Sequence, residues 1–221
     1  MAGNDHKPDA NVDLAVRERL LEAAVDAFAA FGFEGASLRM IAQKAGVAFQ
    51  LITYYFGSKE DLWIAAVDFL FDVRVKAAKM TFNPVKDFEP QLREWLNIAL
   101  RFSIQEPQLR QIMCQEYLAR SDRYEKHLRP RLREATPYFA YFFEQAQKQG
   151  ISARLSAKEM LLILRGIMLL GAVAPDEITS IVGGRIDSQK TIEVLTDLVV
   201  NLFMKGEGTT ALRHLAVVQT A

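Results

Sequence analysis

Residues 37 to 59, SLRMIAQKAGVAFQLITYYFGSK, constrain the fold of this chain more tightly than any other stretch. Leu38, Ile41, Ala42 and Ala45 recur at i, i+3, i+4 and i+7, which places them on one face of a helix. Gly46 follows at once, where a helix end calls for left-handed backbone that a side chain resists. Val47, Ile52, Tyr55 and Phe56 then mark a second short helix. Two short helices joined through a glycine turn are the parts of a helix-turn-helix. No Asp or Glu occurs from Gly35 through Lys59, while Arg39, Lys44 and Lys59 are basic. A surface that meets a phosphate backbone excludes carboxylates in this way. On spacing alone, an ordinary helical hairpin fits as well.

Total charge says nothing for nucleic acid, because Lys plus Arg equals Asp plus Glu at 27 each. The first 61 residues carry six basic and nine acidic side chains. Only the placement of charge along the chain can speak for a nucleic-acid partner. One cysteine, Cys114, excludes an internal disulfide and points to a reducing cytoplasm. The opening MAGNDHKPDANVD is polar, without the apolar stretch of a signal peptide. The most apolar run, Met160 to Ala174, is too short for a bilayer and contains Arg165, so it reads as a buried helix and no membrane partner is expected.

The rest of the pattern is helical. Residues 1–12 read as a loose arm. Leu20, Ala24, Ala27, Phe28 and Phe31 share a helix face over 14–31, with Gly32 as its stop and Ser37 as the next N-cap. Ser58 with Asp61 opens a long helix carried by Leu62, Ala66, Phe69 and Val73. Residues 81–90 hold two prolines and read as a linker. Leu92, Trp95, Leu96, Ala99 and Phe102 make the next face, and Pro107 suits the first position of the helix after it. Pro130 and Pro137 should break or kink the less regular stretch over 122–149, and Gly150 should end it. Ser156 and Glu159 form a capping box for a helix over 157–173 that Pro175 closes. A loop over 175–187 and a last helix from Ser188 to Gly206 complete the expectation; the tail 207–221 has no clear pattern. The fold class is all-α.

The stretch from Phe28 to Trp63 resembles the N-terminal motif of the tetracycline-repressor (TetR) family of transcription regulators. The matching residues are Phe28, Phe31, Gly32, Gly35, Ser37, Leu38, Ile41, Ala42, Ala45, Gly46, Val47, Tyr55, Phe56, Lys59 and Glu60. The remainder agrees with the family only in architecture. The resemblance implies a helix-turn-helix domain over 13–58 and a helical effector-binding and dimerisation domain over 59–206. It also implies a homodimer on a double-stranded operator, released by a small-molecule effector.

By the same resemblance, Ser37 and Arg39 begin the helix that crosses the DNA backbone. Ala48, Phe49, Gln50, Leu51 and Thr53 belong to the helix in the major groove, and Tyr54, Tyr55 and Lys59 match phosphate-contacting positions. Chemistry agrees in part: Gln50 can pair with adenine through two hydrogen bonds, and Leu51 or Phe49 can meet a thymine methyl. The chain departs from the family at Ala48, where Ser or Thr is common, so an N-cap and a phosphate donor are lost. Thr53 replaces a frequent Tyr, and Gln50 and Leu51 replace smaller residues. A rival reading is an all-α ligand-binding or adaptor protein whose helix-turn-helix no longer binds DNA.

Trp95, Phe102, Met113, Tyr117, Phe139 and Phe142 are candidates to line an apolar or aromatic effector site, although such residues at helical spacing are commonly core. Leu162, Arg165, Leu169, Leu195, Leu198 and Leu202, on the last two expected helices, are candidates for a four-helix interface with a second copy. No enzyme chemistry is expected. His6, His127 and His214 lack metal-ligand spacing, and Gly183-Gly184 lacks the flanking elements of a phosphate loop. No metal or cofactor is called for.

Overall fold

The computed structural model describes residues 10–78, 83, 86–148, 155–183, 185 and 187–205, and the regular elements among them are all helical. The helices are α1 (Ala10–Gly35), α2 (Leu38–Ala45), α3 (Gln50–Phe56), α4 (Lys59–Ala78) and α5 (Phe88–Gln105). Then come α6 (Gln108–Leu118), a π turn (Tyr124–Leu128), α7 (Arg129–Lys148), α8 (Ala157–Val173), α9 (Pro175–Val182) and α10 (Gln189–Lys205). No helix among the described residues is long and apolar enough to cross a membrane. Residues 1–9 of the expected arm, residues 81, 82, 84 and 85 of the expected linker, the stops at Gly150 and Gly206, and the tail lie outside the described residues, while 10–12 already belong to α1 and 88–90 to α5.

Two apolar cores organise the molecule. The first gathers α1 to α4 with Leu109 and Ile112 of α6 and Leu128 of the π turn. Alanine makes it possible: Ala23, Ala24, Ala27 and Ala29 let α1 be approached closely by α2, α4 and α6 on different sides. This core runs across the expected boundary at 58/59, since Leu62, Trp63, Ala66 and Val67 of α4 lie within it. The second core joins α5, α7, α8, α9 and α10 around Trp95, Phe143, Met160 and Phe203.

Several helix ends follow the local chemistry. Ser37 accepts from the Met40 amide at 3.1 Å, and Gly46 closes α2 at φ 66°. Ser58 accepts from the Asp61 amide at 3.0 Å. Ser156 and Glu159 cap each other at 2.7 and 3.3 Å. Ser188 accepts from the Thr191 amide at 3.2 Å.

Three expectations are overturned. Gly32 does not end α1 but kinks it, at φ 68° and ψ 176°, and the helix runs on to Gly35. The turn beyond the kink keeps its helical bond from the Ala36 amide to the Gly32 carbonyl at 3.1 Å, and Gln115 of α6 bonds the Ala29 carbonyl at 2.6 Å. Residues 175–182 are helix, not loop. Pro175 sits at the first position where its missing N–H costs nothing, Asp176 and Glu177 favour the helix start, and Ile178 and Val182 bury one face. Of the break or kink expected at Pro130 and Pro137, no break occurs, since both lie within α7. Pro130 follows the widened π turn, and at Pro137 the Thr136 hydroxyl bonds the Leu132 carbonyl at 2.6 Å.

Candidate nucleic-acid interface

Helix α3 is seven residues long, below the length that is stable alone, so packing must hold it. Ile52 and Phe56 point inward and are buried; Leu51 and Tyr55 flank them, half-buried on the same core. Arg17 of α1 lies over the Phe56 ring, 5.5 Å from its centroid. The face turned away carries Ala48, Phe49, Gln50, Thr53 and Tyr54, all exposed, with Tyr54 at 72%. Period 3.6 alone separates these two sets.

Arg39 is exposed on α2, while Ser37 spends its hydroxyl as a cap. Lys44 pairs with Asp26 of α1 at 2.7 Å. Lys59 reaches the Glu34 carbonyl at 3.4 Å and lies over the Phe33 ring at 4.7 Å. Tyr55 donates its hydroxyl to Asp13 in the first turn of α1, which pushes its pKa up to about 12. The N-cap of α3 is Phe49 rather than Ala48, and it makes no side-chain cap bond.

Residues 20–66 match the family model described as bacterial regulatory proteins, tetR family. Over those residues the chain is similar to the TetR family. RutR, an HTH-type transcriptional regulator of Escherichia coli, is 36% identical over 108 residues, which are 48% of this chain and 49% of RutR. NicS, an HTH-type transcriptional repressor of Pseudomonas putida, is 28% identical over 137 residues, 61% of this chain and 65% of NicS. The chain thus spans about half the length of the first of these curated relatives. A solved TetR-family transcriptional regulator from Haemophilus influenzae superposes with a TM-score of 0.60 at 22% identity, over 90% of this chain and all of that one. At that identity the likeness is one of fold.

Elsewhere the remaining candidate residues fall in different environments. Trp95 is 1% exposed in the second core, edge-on to Phe143 at 5.9 Å. Met113 packs on the first core, and Phe102 is half-buried. Tyr117 is 65% exposed and lies edge-on to Tyr124 at 5.4 Å. Trp95 and Met113 pack on different cores and Tyr117 faces solvent, while the side chains of Phe139 and Phe142 lie outside the described residues. Packing takes up aromatic groups at helical spacing. A cleft of about 500 Å³ lies instead between α1, α6 and α8, lined by Asp26, Gln108, Gln111, Cys114, Gln115 and Val173 among others. Of the expected interface residues, Leu162 is 74% exposed and Leu169 40%. Arg165 is exposed and bonds the Thr136 hydroxyl at 2.6 Å. Leu198 and Leu202 are half-buried, whereas Leu195 is buried in its own chain's core and offers no surface to a second copy.

Proposed function

We propose that the chain is a ligand-responsive transcriptional regulator, most simply a repressor, that binds a palindromic operator as a homodimer in the cytoplasm. Residues 13–58 would be the reading head and residues 59–206 the effector-binding and dimerising part. The observation that carries this reading is the exposed face of α3. Phe49, Gln50, Thr53 and Tyr54 stand out on a helix anchored by Ile52 and Phe56, inside a stretch without carboxylates. Such a face offers an amide for a base edge, apolar groups for a thymine methyl and a hydroxyl for phosphate.

Two such helices, one per protomer, would enter major grooves about 34–36 Å or a multiple of that apart. The exposed leucines of α8 supply an apolar surface for the second copy. Effector binding would act by favouring a different separation of the reading heads, through unequal affinity for two states. The rival, an adaptor that has lost DNA binding, draws support from the uncapped start of α3.

The test uses duplexes selected by the wild-type chain from a random pool. Tyr54→Ala and Lys59→Ala are expected to weaken binding and to lower the salt slope by about one for each phosphate no longer touched. Unchanged affinity and slope would reject the DNA surface and favour the rival.

A further inference from the structure

Sequence reading gives Tyr55 to phosphate, yet its hydroxyl is already committed. We infer that Asp13 and Tyr55 are positioning residues that set the orientation of α3 for sequence reading, and that Tyr55 is not itself a phosphate contact. The inference rests on the DNA-binding reading above and deepens it.

A phenol has one proton to donate. Tyr55 gives it to a carboxylate 42 residues earlier in the chain. A phosphate at the same oxygen would meet lone pairs and the adjacent negative charge of Asp13. A phenol keeps its proton at physiological pH in any case, and the hydrogen bond to Asp13 pushes the Tyr55 pKa further up, to about 12.

The geometry shows what the bond is for. Ile52 and Phe56 lie one turn apart down α3 with Leu51 and Tyr55 half-buried beside them, and these non-directional apolar contacts set its depth while a hydrogen bond adds a fixed direction to its roll. No side-chain cap holds its start. Among the described residues, Tyr55 to Asp13 is the one side-chain hydrogen bond from α3 to another helix. Asp13 is a firm anchor, since a carboxylate in the first turn of α1 is favoured by the helix dipole. The Tyr55 ring in turn carries Tyr54, edge-on at a centroid distance of 5.0 Å. Loss of the bond would let α3 roll, moving Tyr54 and Gln50 together.

The experiment compares full-length wild type, Tyr55→Phe, Asp13→Ala, Asp13→Asn and the Asp13→Ala/Tyr55→Phe double variant. Fluorescence anisotropy gives affinity for a duplex selected by the wild type and for a scrambled duplex of equal length. Circular dichroism confirms that each variant is helical at the assay temperature. Tyr55→Phe keeps the ring, and Asp13→Asn keeps an acceptor oxygen, so the pair remains informative if Asp13→Ala does not fold. Tyr55→Phe and Asp13→Ala are each expected to lower the selected-to-scrambled ratio about tenfold, with binding to scrambled DNA retained. The double variant should be no worse than either single one, and Asp13→Asn should keep most of the ratio. Unchanged ratios in Tyr55→Phe and Asp13→Ala, or additive losses in the double variant, would overturn the positioning role. Tighter binding to both duplexes in Asp13→Ala and Asp13→Asn alike would overturn it too, leaving Asp13 as a mere repulsive charge. If the wild type selects no sequence, the DNA-binding reading itself fails and takes this inference with it.

Discussion

Gln115 of α6 donates its side-chain amide to the main-chain carbonyl of Ala29 at 2.6 Å, three residues before the kink of α1 at Gly32. The glutamine thus makes a joint between α1 and α6. Two more glutamines extend it: Gln108 reaches Asp26 at 3.4 Å, and Gln111 reaches the Ala172 carbonyl near the end of α8 at 3.2 Å.

Gly32→Ala should lower the unfolding free energy by about 2 kcal/mol, because φ 68° with ψ 176° is a glycine conformation. The new Cβ would also stand 2.6 Å from Oε1 of Gln115. Gln115→Leu should cost roughly 1–3 kcal/mol by stripping the Ala29 carbonyl of this partner. Urea unfolding of both variants and their combination should show less than additive loss, since they share one joint. Strict additivity would show that the two are independent.

Phe33 lies between two cations, with Arg123 at 3.6 Å and Lys59 at 4.7 Å from its centroid. Arg123 also bonds Glu116, which is 3% exposed, at 3.1 Å. Arg123→Met should destabilise the chain by about 3 kcal/mol, because it strands a buried carboxylate. Lys59→Met should cost only about 0.5–1 kcal/mol. Thermal unfolding that ranks the two equally would show that stranding Glu116 carries no extra penalty.

Leu162→Glu should shift sedimentation toward monomer at micromolar concentration while leaving the helical signal intact, since Leu162 is 74% exposed. Leu195→Ala should do the reverse. Its side chain is 4% exposed in the second core, so the fold should lose roughly 2–5 kcal/mol without a change in association. A dimer unaffected by Leu162→Glu would place the interface elsewhere.

The Ser156–Glu159 box should give a pH signature. Hydrogen bonds to the Ser156 backbone and hydroxyl hold the Glu159 pKa below its ordinary value of 4.5. A depressed folded-state pKa contributes stability above the unfolded value, and that contribution is lost as pH falls below about 4.5 through the lower folded value. Glu159→Gln should therefore flatten the acid limb of stability against pH. Ser156→Ala should cost about 1 kcal/mol at neutral pH. An acid limb unchanged in Glu159→Gln would show that other carboxylates set it.

Local chemistry was legible wherever the deciding partner lay within a turn. The caps at Ser37, Ser58, Ser156 and Ser188 and the left-handed Gly46 needed only neighbours three or four residues away. The burial of Ile52 and Phe56 against exposed Gln50, Thr53 and Tyr54 followed from helical period. Pro130 and Pro137 lie inside α7 without ending it, which the residue type alone does not reveal; a widened turn precedes Pro130, and the packing of α7 on its neighbours holds the turns around Pro137.

The sequence by itself determined that this is an all-α chain with a helix-turn-helix near its start and the residues of the TetR family there. Periodicity, capping residues and the gap in acidic charge are short-range properties, and they survive without a fold. Tertiary structure alone decided how the distant residues were used. It gave the Tyr55 hydroxyl to Asp13, turned Gly32 from a stop into a kink beside Gln115, drew Trp95 and Leu195 into a core and left Leu162 in solvent. Those outcomes depend on which helices meet. One apolar stripe can bury against several partners, and one hydroxyl can serve only the acceptor that packing brings within reach.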